Sequence, residues 1–296
     1  MRVTLIPASL VRYIAAPFAS LFQPVAAMPA MVLIACAAAY WITMQHVAPP
    51  PLSGGELLAG YAVFVISCLA HELGHAGACL RFGVRPGPIG IALYLVFPVL
   101  YSDVTRIWRL RRWHRVAVDV GGSYVQCLCG AFYAVVYVQI HAPALLLAVA
   151  LIIAATLLNM NPLFRFDGYW VISDALGVTG LFTHVGRLVP WLALRLAGRE
   201  DVAALPWPDH IVAAIAIYGV VALMGWAWFV TRLIAYVCEQ GRWLLTVVPA
   251  MGRGEWMSLA LFGQLGSAAI GAIALAFFLI RLLCALRSRC ACSPRR

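Results

Sequence analysis

Lysine is absent from this 296-residue chain, and its acidic residues number only 11. Charged side chains make up 11% of the whole, against 64% hydrophobic. That shortage excludes an ordinary soluble domain, in which about a quarter of the residues are charged. A mean hydropathy of +0.92 belongs instead to a polytopic membrane protein, with the lipid bilayer as its first partner. The basic charge comes from 21 arginines and leaves a net charge of +10. These arginines flank apolar runs rather than forming one face, which excludes nucleic acid as a partner. No two of the nine cysteines are spaced C-x-x-C, so neither a zinc ribbon nor a thioredoxin-type redox pair is written here. Cys36, Cys68, Cys79, Cys127, Cys129 and Cys284 lie in apolar runs, where cysteine behaves as a small hydrophobe. No short apolar core with a small-residue cleavage site precedes a soluble remainder, so no removable signal peptide is expected.

What is present is a set of long apolar runs. About six reach the roughly 20 residues that cross a bilayer. They lie near residues 26–45, 57–80, 116–138, 144–164, 210–234 and 258–284. Between them arginine is distributed unevenly. The loop near 46–55 and the turn at 139–143 contain none, whereas seven arginines crowd residues 81–115. Assigning successive loops to alternate sides puts eighteen arginines on one side and three on the other. By the positive-inside rule both termini then lie in the cytoplasm. The exclusive use of arginine beside abundant alanine also fits a GC-rich coding sequence, and the expected location is a bacterial cytoplasmic membrane.

The second run holds His71-Glu72-Leu73-Gly74-His75. On a helix, residues four apart share a face with about 6 Å of rise between them. Two imidazoles so placed can share one zinc ion, with Glu72 as a base beside it. A carboxylate and two histidines are costly in lipid, so their presence there marks a functional site. This run descends towards the cytoplasm, which places His71 and His75 about 15 and 9 Å below the inner surface.

A tetrahedral zinc site with two histidines needs a third protein ligand and an open position. The fourth run also descends to the inner side and ends in Asn161-Pro162-Leu163-Phe164-Arg165-Phe166-Asp167-Gly168-Tyr169. Pro162 interrupts the helix and pushes Asn161 out of the α region. Irregular backbone at this depth is tolerated only beside a cavity or buried in protein. Asp167 is the best third ligand; its alternative is an interfacial ion pair with Arg165 or Arg187. Asn161 is either a contact for the substrate carbonyl or a turn residue before proline. Asp103 and Asp174 read as interfacial, Glu56 as the far end of its run, and Asp119 as a neutraliser of Arg115 at i−4. His114 and His141 read as solvated.

With these residues in hand, the chain resembles the site-2 protease family of intramembrane zinc metalloproteases. The resemblance rests on His71-Glu72-Leu73-Gly74-His75 and on Asn161-Pro162 through Asp167-Gly168. It implies that His71, His75 and Asp167 ligate Zn2+, that Glu72 is the general base, and that Asn161 helps hold the substrate carbonyl or oxyanion. The form of the second motif is most similar to members found with ribosomal-peptide maturation, including daptide-type pathways. The substrate implied is a small membrane-associated peptide. The alternatives are a single-span signalling protein, or a non-enzymatic role as a peptide-handling transport partner. No segment between the runs is long enough for the PDZ domain of many signalling members.

The expected fold is an all-α polytopic membrane protein, with about six transmembrane helices around a site-2-protease-like core. The whole of 1–296 forms one integral membrane domain, with residues 57–172 as its catalytic core. The apolar, proline-marked segment 88–101 is too short for a span. The resemblance makes it a membrane-dipping β element after the second helix, whose edge can pair with an extended substrate strand. The alternative is a loop packed against the second span. Ile107 to Trp113 reads as a basic-aromatic anchor on anionic lipid. Gly121-Gly122-Ser123 reads as a close helix crossing, or as lining for the substrate path. Phe182 to Leu196 reads as an interfacial helix.

Overall fold

The computed structural model describes residues 2–44, 51–94, 97–199 and 205–251, with single residues at 269 and 276. It is mostly helical. Among the described residues, four helices are long and apolar enough to cross a membrane. These are α3 (Pro24–Met44), α4 (Gly54–Arg81), α5 (Arg112–Ile140) and α9 (Asp209–Met251). They are preceded by strand β1 (Arg2–Ile6), helix α1 (Ala8–Ile14) and the single turn α2 (Ala16–Ala19).

The expected fourth span is shorter than the sequence suggests. Helix α6 runs only from Pro143 to Asn159, 17 residues. That length is about 25 Å against a hydrocarbon core of about 30 Å. The apolar run continues to Leu163 and Phe164, but Pro162 cannot continue the helical hydrogen bonds. The expected span at 258–284 lies outside the described residues, apart from the two single positions.

Local chemistry explains the helix ends. Ser53 caps α4: its hydroxyl accepts from the Glu56 backbone N–H, and the Glu56 carboxylate accepts from the Ser53 N–H at 2.8 Å. Helix α5 ends at His141, which takes a left-handed conformation (φ 50°), and Pro143 then starts α6. Helix α7 (Asp167–Leu176) stops at Gly177 (φ 69°), where only glycine is unstrained. Helix α8 (Leu181–Leu196) matches the helix expected from Phe182 to Leu196.

The chain divides into two compact units, Met1–Ala92 with Val99–Gly219, and Leu93–Pro98 with Val220–Arg296. In the first, α4, α5 and α6 pack through small residues. A Cβ on Gly60 would meet Leu147 and the Ala144 carbonyl of α6. A Cβ on Gly74 would lie 2.5 Å from the Gly121 carbonyl oxygen of α5. Such close backbone approach is how membrane helices gain contact where lipid removes the hydrophobic drive. The C-terminal end of α4 is wrapped by the N-terminal segment. Val11 and Ala15 bury against Ala76 and Ile89, and a Cβ on Gly77 would strike Phe18. Segment 88–101 contributes strands β2 (Ile89–Tyr94) and β3 (Phe97–Ser102) to a sheet of order β1-β2-β3. Strand β1 pairs antiparallel with β2, Val3 opposite Ile91 and Thr4 opposite Gly90.

In the second unit, α9 carries Trp226 edge-on to Phe229 at 5.7 Å and the Arg232 guanidinium over Trp228. Leu223, Met224 and Trp228 are exposed, as on a helix whose outer face meets lipid.

Candidate metal centre

The centre forms where α4 crosses α5. The face of α4 turned to its neighbours is polar or small (Ser67, His71, Glu72, Gly74, His75), while Leu57, Leu58, Val65 and Ile66 face outwards. His71 and His75 are 5% and 7% exposed, with rings edge-on at 4.8 Å. Each ring is held through Nδ1. His71 Nδ1 donates to the Gln126 side-chain oxygen at 3.1 Å, and His75 Nδ1 donates to the Val118 carbonyl at 2.7 Å. Gln126 is itself oriented by donating from its amide nitrogen to Ser67 Oγ at 3.3 Å. Both Nε2 atoms are therefore lone pairs, and they face each other at 3.2 Å.

Asp167 completes the group. Its Oδ2 lies 3.0 Å from His71 Nε2 and 3.4 Å from His75 Nε2. It is the first residue of α7, and three features bring it there. Asn161 Oδ1 accepts from the Leu163 N–H at 2.9 Å, closing a turn after α6. The Tyr218 hydroxyl holds the Pro162 carbonyl at 2.8 Å. Gly168 passes against the Met160 carbonyl so closely that no Cβ fits. Burial works to raise the Asp167 pKa, and the imidazoles of His75 and His71, when protonated, hold the carboxyl below the usual carboxylate range. The N-terminus of α7 favours the same charged form.

The residues fit a metal ion. With both Nδ1–H groups committed elsewhere, the neutral imidazoles and Asp167 turn three lone pairs to one point, an arrangement that could hold a metal ion. Asp167 Oδ2 is buried without a hydrogen-bond donor. A tetrahedral ion with bonds of about 2.0–2.1 Å separates its ligands by about 3.3 Å. The three separations observed here, 3.0, 3.2 and 3.4 Å, match that triangle. Gly122 keeps the space open: a Cβ there would collide with Nε2 of both histidines. Among the described residues this is the one cluster of three His, Cys, Asp or Glu side chains able to hold a metal.

Glu72 is buried at 7% exposure on the adjoining face of α4, within electrostatic reach of His71, His75 and Asp167. Asn161 stands outside the ligand triangle; its side-chain oxygen serves the turn. Three other acids depart from or complete their expected places. Asp174 is buried in the protein at 3% exposure and pairs with Arg115 at 3.0 Å, so that arginine's ion-pair partner is Asp174 rather than Asp119. The turn between α6 and α7 brings Asp174 inwards, which no local spacing reveals. Glu56 caps α4 at the end away from the histidines. His114 stacks on Phe82 at 4.4 Å, and His141 ends α5.

Gln126, Val118 and Ser67 were not evident in the sequence as site residues. Gln126 had a signal, since an amide in the middle of an apolar run needs a partner. The Val118 carbonyl had none, because any residue supplies one. Comparison with protein-family models, curated proteins and solved structures finds no match.

Proposed function

We propose that the protein is an intramembrane zinc metalloprotease of the site-2 protease type, acting on a small membrane-associated peptide. The observation that carries this reading is the convergence of His71, His75 and Asp167, from α4 and α7, beside the buried Glu72. Two imidazoles and one carboxylate with a base alongside are the donor set of hydrolytic zinc. Bound zinc supplies Lewis-acid polarisation of the scissile carbonyl and lowers the pKa of water towards about 7. Glu72 takes the proton of the attacking water and returns it to the leaving amine. The Asn161 amide, oriented through its oxygen, has its NH2 end as a donor to the oxyanion. The membrane assigned is the bacterial cytoplasmic one, with both termini inside and residues 57–172 as the catalytic core.

In this reading the 88–101 segment dips into the membrane and receives substrate as an added strand. Strand β1 covers one side of β2, and within segment 88–101 β3 is the outer strand, whose edge receives the substrate in this reading. Transmembrane substrates must unwind before attack, and strand addition holds a peptide extended. Leader removal from a ribosomally made peptide is favoured over release of a signalling protein, because the resemblance runs to the peptide-maturation branch.

The test is intact-mass profiling of membrane-extracted peptides from cells carrying wild type or Glu72→Ala. A precursor that accumulates only with Glu72→Ala, and a shortened form only with wild type, supports the reading. Matching profiles at equal expression overturn it. Metal analysis of the purified protein supplies the second arm: about one zinc per chain is expected.

A further inference from the structure

Arg115, Asp119 and Asp174 take no part in the chemistry above, yet all three are withdrawn from solvent. The Arg115 and Asp174 side chains are 15% and 4% exposed where Nε meets Oδ1 at 3.0 Å. Arg115 also donates from Nη1 to the Leu110 carbonyl at 3.3 Å, and its guanidinium lies over the Trp108 ring. The Asp119 carboxyl lies within electrostatic reach of that of Asp174, and its Oδ2 is buried with no hydrogen-bond partner. Two carboxyls and one guanidinium cost several kcal/mol to desolvate and are weak stabilisers compared with apolar packing. What a buried charged cluster does well is specify one register among neighbours.

The register concerned is that of α7. This helix has only ten residues, shorter than a helix that holds itself in water. Asp167 and Asp174 are seven residues apart, two turns along one face. Arg115 and Asp119 are four apart on α5, and Val118 between them accepts the hydrogen bond of His75 Nδ1. One turn of α5 therefore touches two ligands, His75 through a backbone carbonyl and Asp167 through Asp174. We propose that Arg115, Asp119 and Asp174 are positioning residues that dock α7 on α5 so that the Asp167 carboxylate reaches His71 and His75. A rotation of α7 by one residue would turn Asp167 about 100° away from the imidazoles.

The inference builds on the metal reading, but its geometric content is measurable without metal. His71→Cys with Asp167→Cys, in the full-length protein, is treated with dibromobimane, which fluoresces on bridging two nearby thiols. Each single variant controls for the native cysteines. Bridging is expected in the Arg115/Asp174 background and a loss of at least half of it when Asp174→Ala or Arg115→Ala is added. Arg115→Lys, which keeps the charge, should recover part of the signal. In the protein with intact ligands, the same Asp174→Ala change should weaken zinc binding 10–100-fold against a chelator. It should also alter the visible spectrum of the cobalt-loaded protein, while helix content stays near wild type.

Unchanged bridging in both Ala variants overturns the proposal, whatever the metal result. If the double-cysteine protein bridges normally but the protein with intact ligands binds no zinc or cobalt, the metal reading falls and the bridging data alone decide the docking role. If Asp174→Ala unfolds, Arg115→Lys is the deciding variant: wild-type bridging and affinity in Arg115→Ala together with Arg115→Lys sink the idea.

Discussion

Helices α3 and α4 are both long and apolar, the first without arginine and the second with Arg81 alone in its last turn, yet they are built in opposite ways. In the most apolar window of α3 only 6% of residues are buried, against 28% in α4. Val25, Met28, Met31 and Val32 of α3 are exposed, as are Leu58, Tyr61 and Ile66 on the outer face of α4. The difference lies on the inner face. Helix α4 turns serine, two histidines, a glutamate and a run of small residues inwards. In water the polar face of a helix looks out; in lipid the large apolar side chains look out and polar groups are paired inside. A membrane helix with function is thus distinguished by its inner face, and mean hydropathy misses the distinction.

Substitutions break this comparison in graded steps. The largest effect is expected from Glu72→Ala. It should lower the rate of peptide hydrolysis by about 100-fold or more while zinc per chain stays at the wild-type value; loss of zinc in step with activity would make Glu72 a ligand rather than the base. Next is Gly122→Ala, a change of one methyl group that meets both Nε2 atoms. Zinc content by elemental analysis should fall well below one per chain with the fold retained, and full occupancy would show that the space beside Gly122 is not the metal's. Gln126→Ala should be milder, because it removes only the acceptor that orients His71. A 10–100-fold weaker zinc affinity is expected, read by chelator competition, and an unchanged affinity would mean that packing alone orients the ring. At the small end, Met31→Leu on α3 should change neither zinc content nor turnover, and stability by no more than about 0.5 kcal/mol. A large loss there would mean that α3 hides an inner face of its own.

Legibility in the sequence followed the same division. Four of the expected spans are helices of crossing length, because apolar length is a local property and a bilayer selects for it. The fourth run failed for an equally local reason that hydropathy ignores: Pro162 ends the helix at Asn159, although Leu163 and Phe164 remain apolar. His71 and His75 were legible since helical spacing alone puts them on one face. Asp167 was legible only as a candidate, since 92 residues separate it from His75 and rival acids were available. The pairing of Arg115 with Asp174 rather than Asp119 was not legible, because the partner of a buried charge depends on which helix comes to lie over it.

By itself, then, the sequence determined the class of protein, the placement of most spans and the pair of imidazoles, all consequences of period and composition over short stretches of chain. The tertiary structure alone decided that Asp167 meets those imidazoles at 3.0 and 3.4 Å. It also decided that Val118 and Gln126 fix their Nδ1 atoms, and that Gly122 leaves room among them. Those facts depend on how α4, α5 and α7 cross, and the crossing is set by contacts between residues far apart in sequence, where no periodicity reaches.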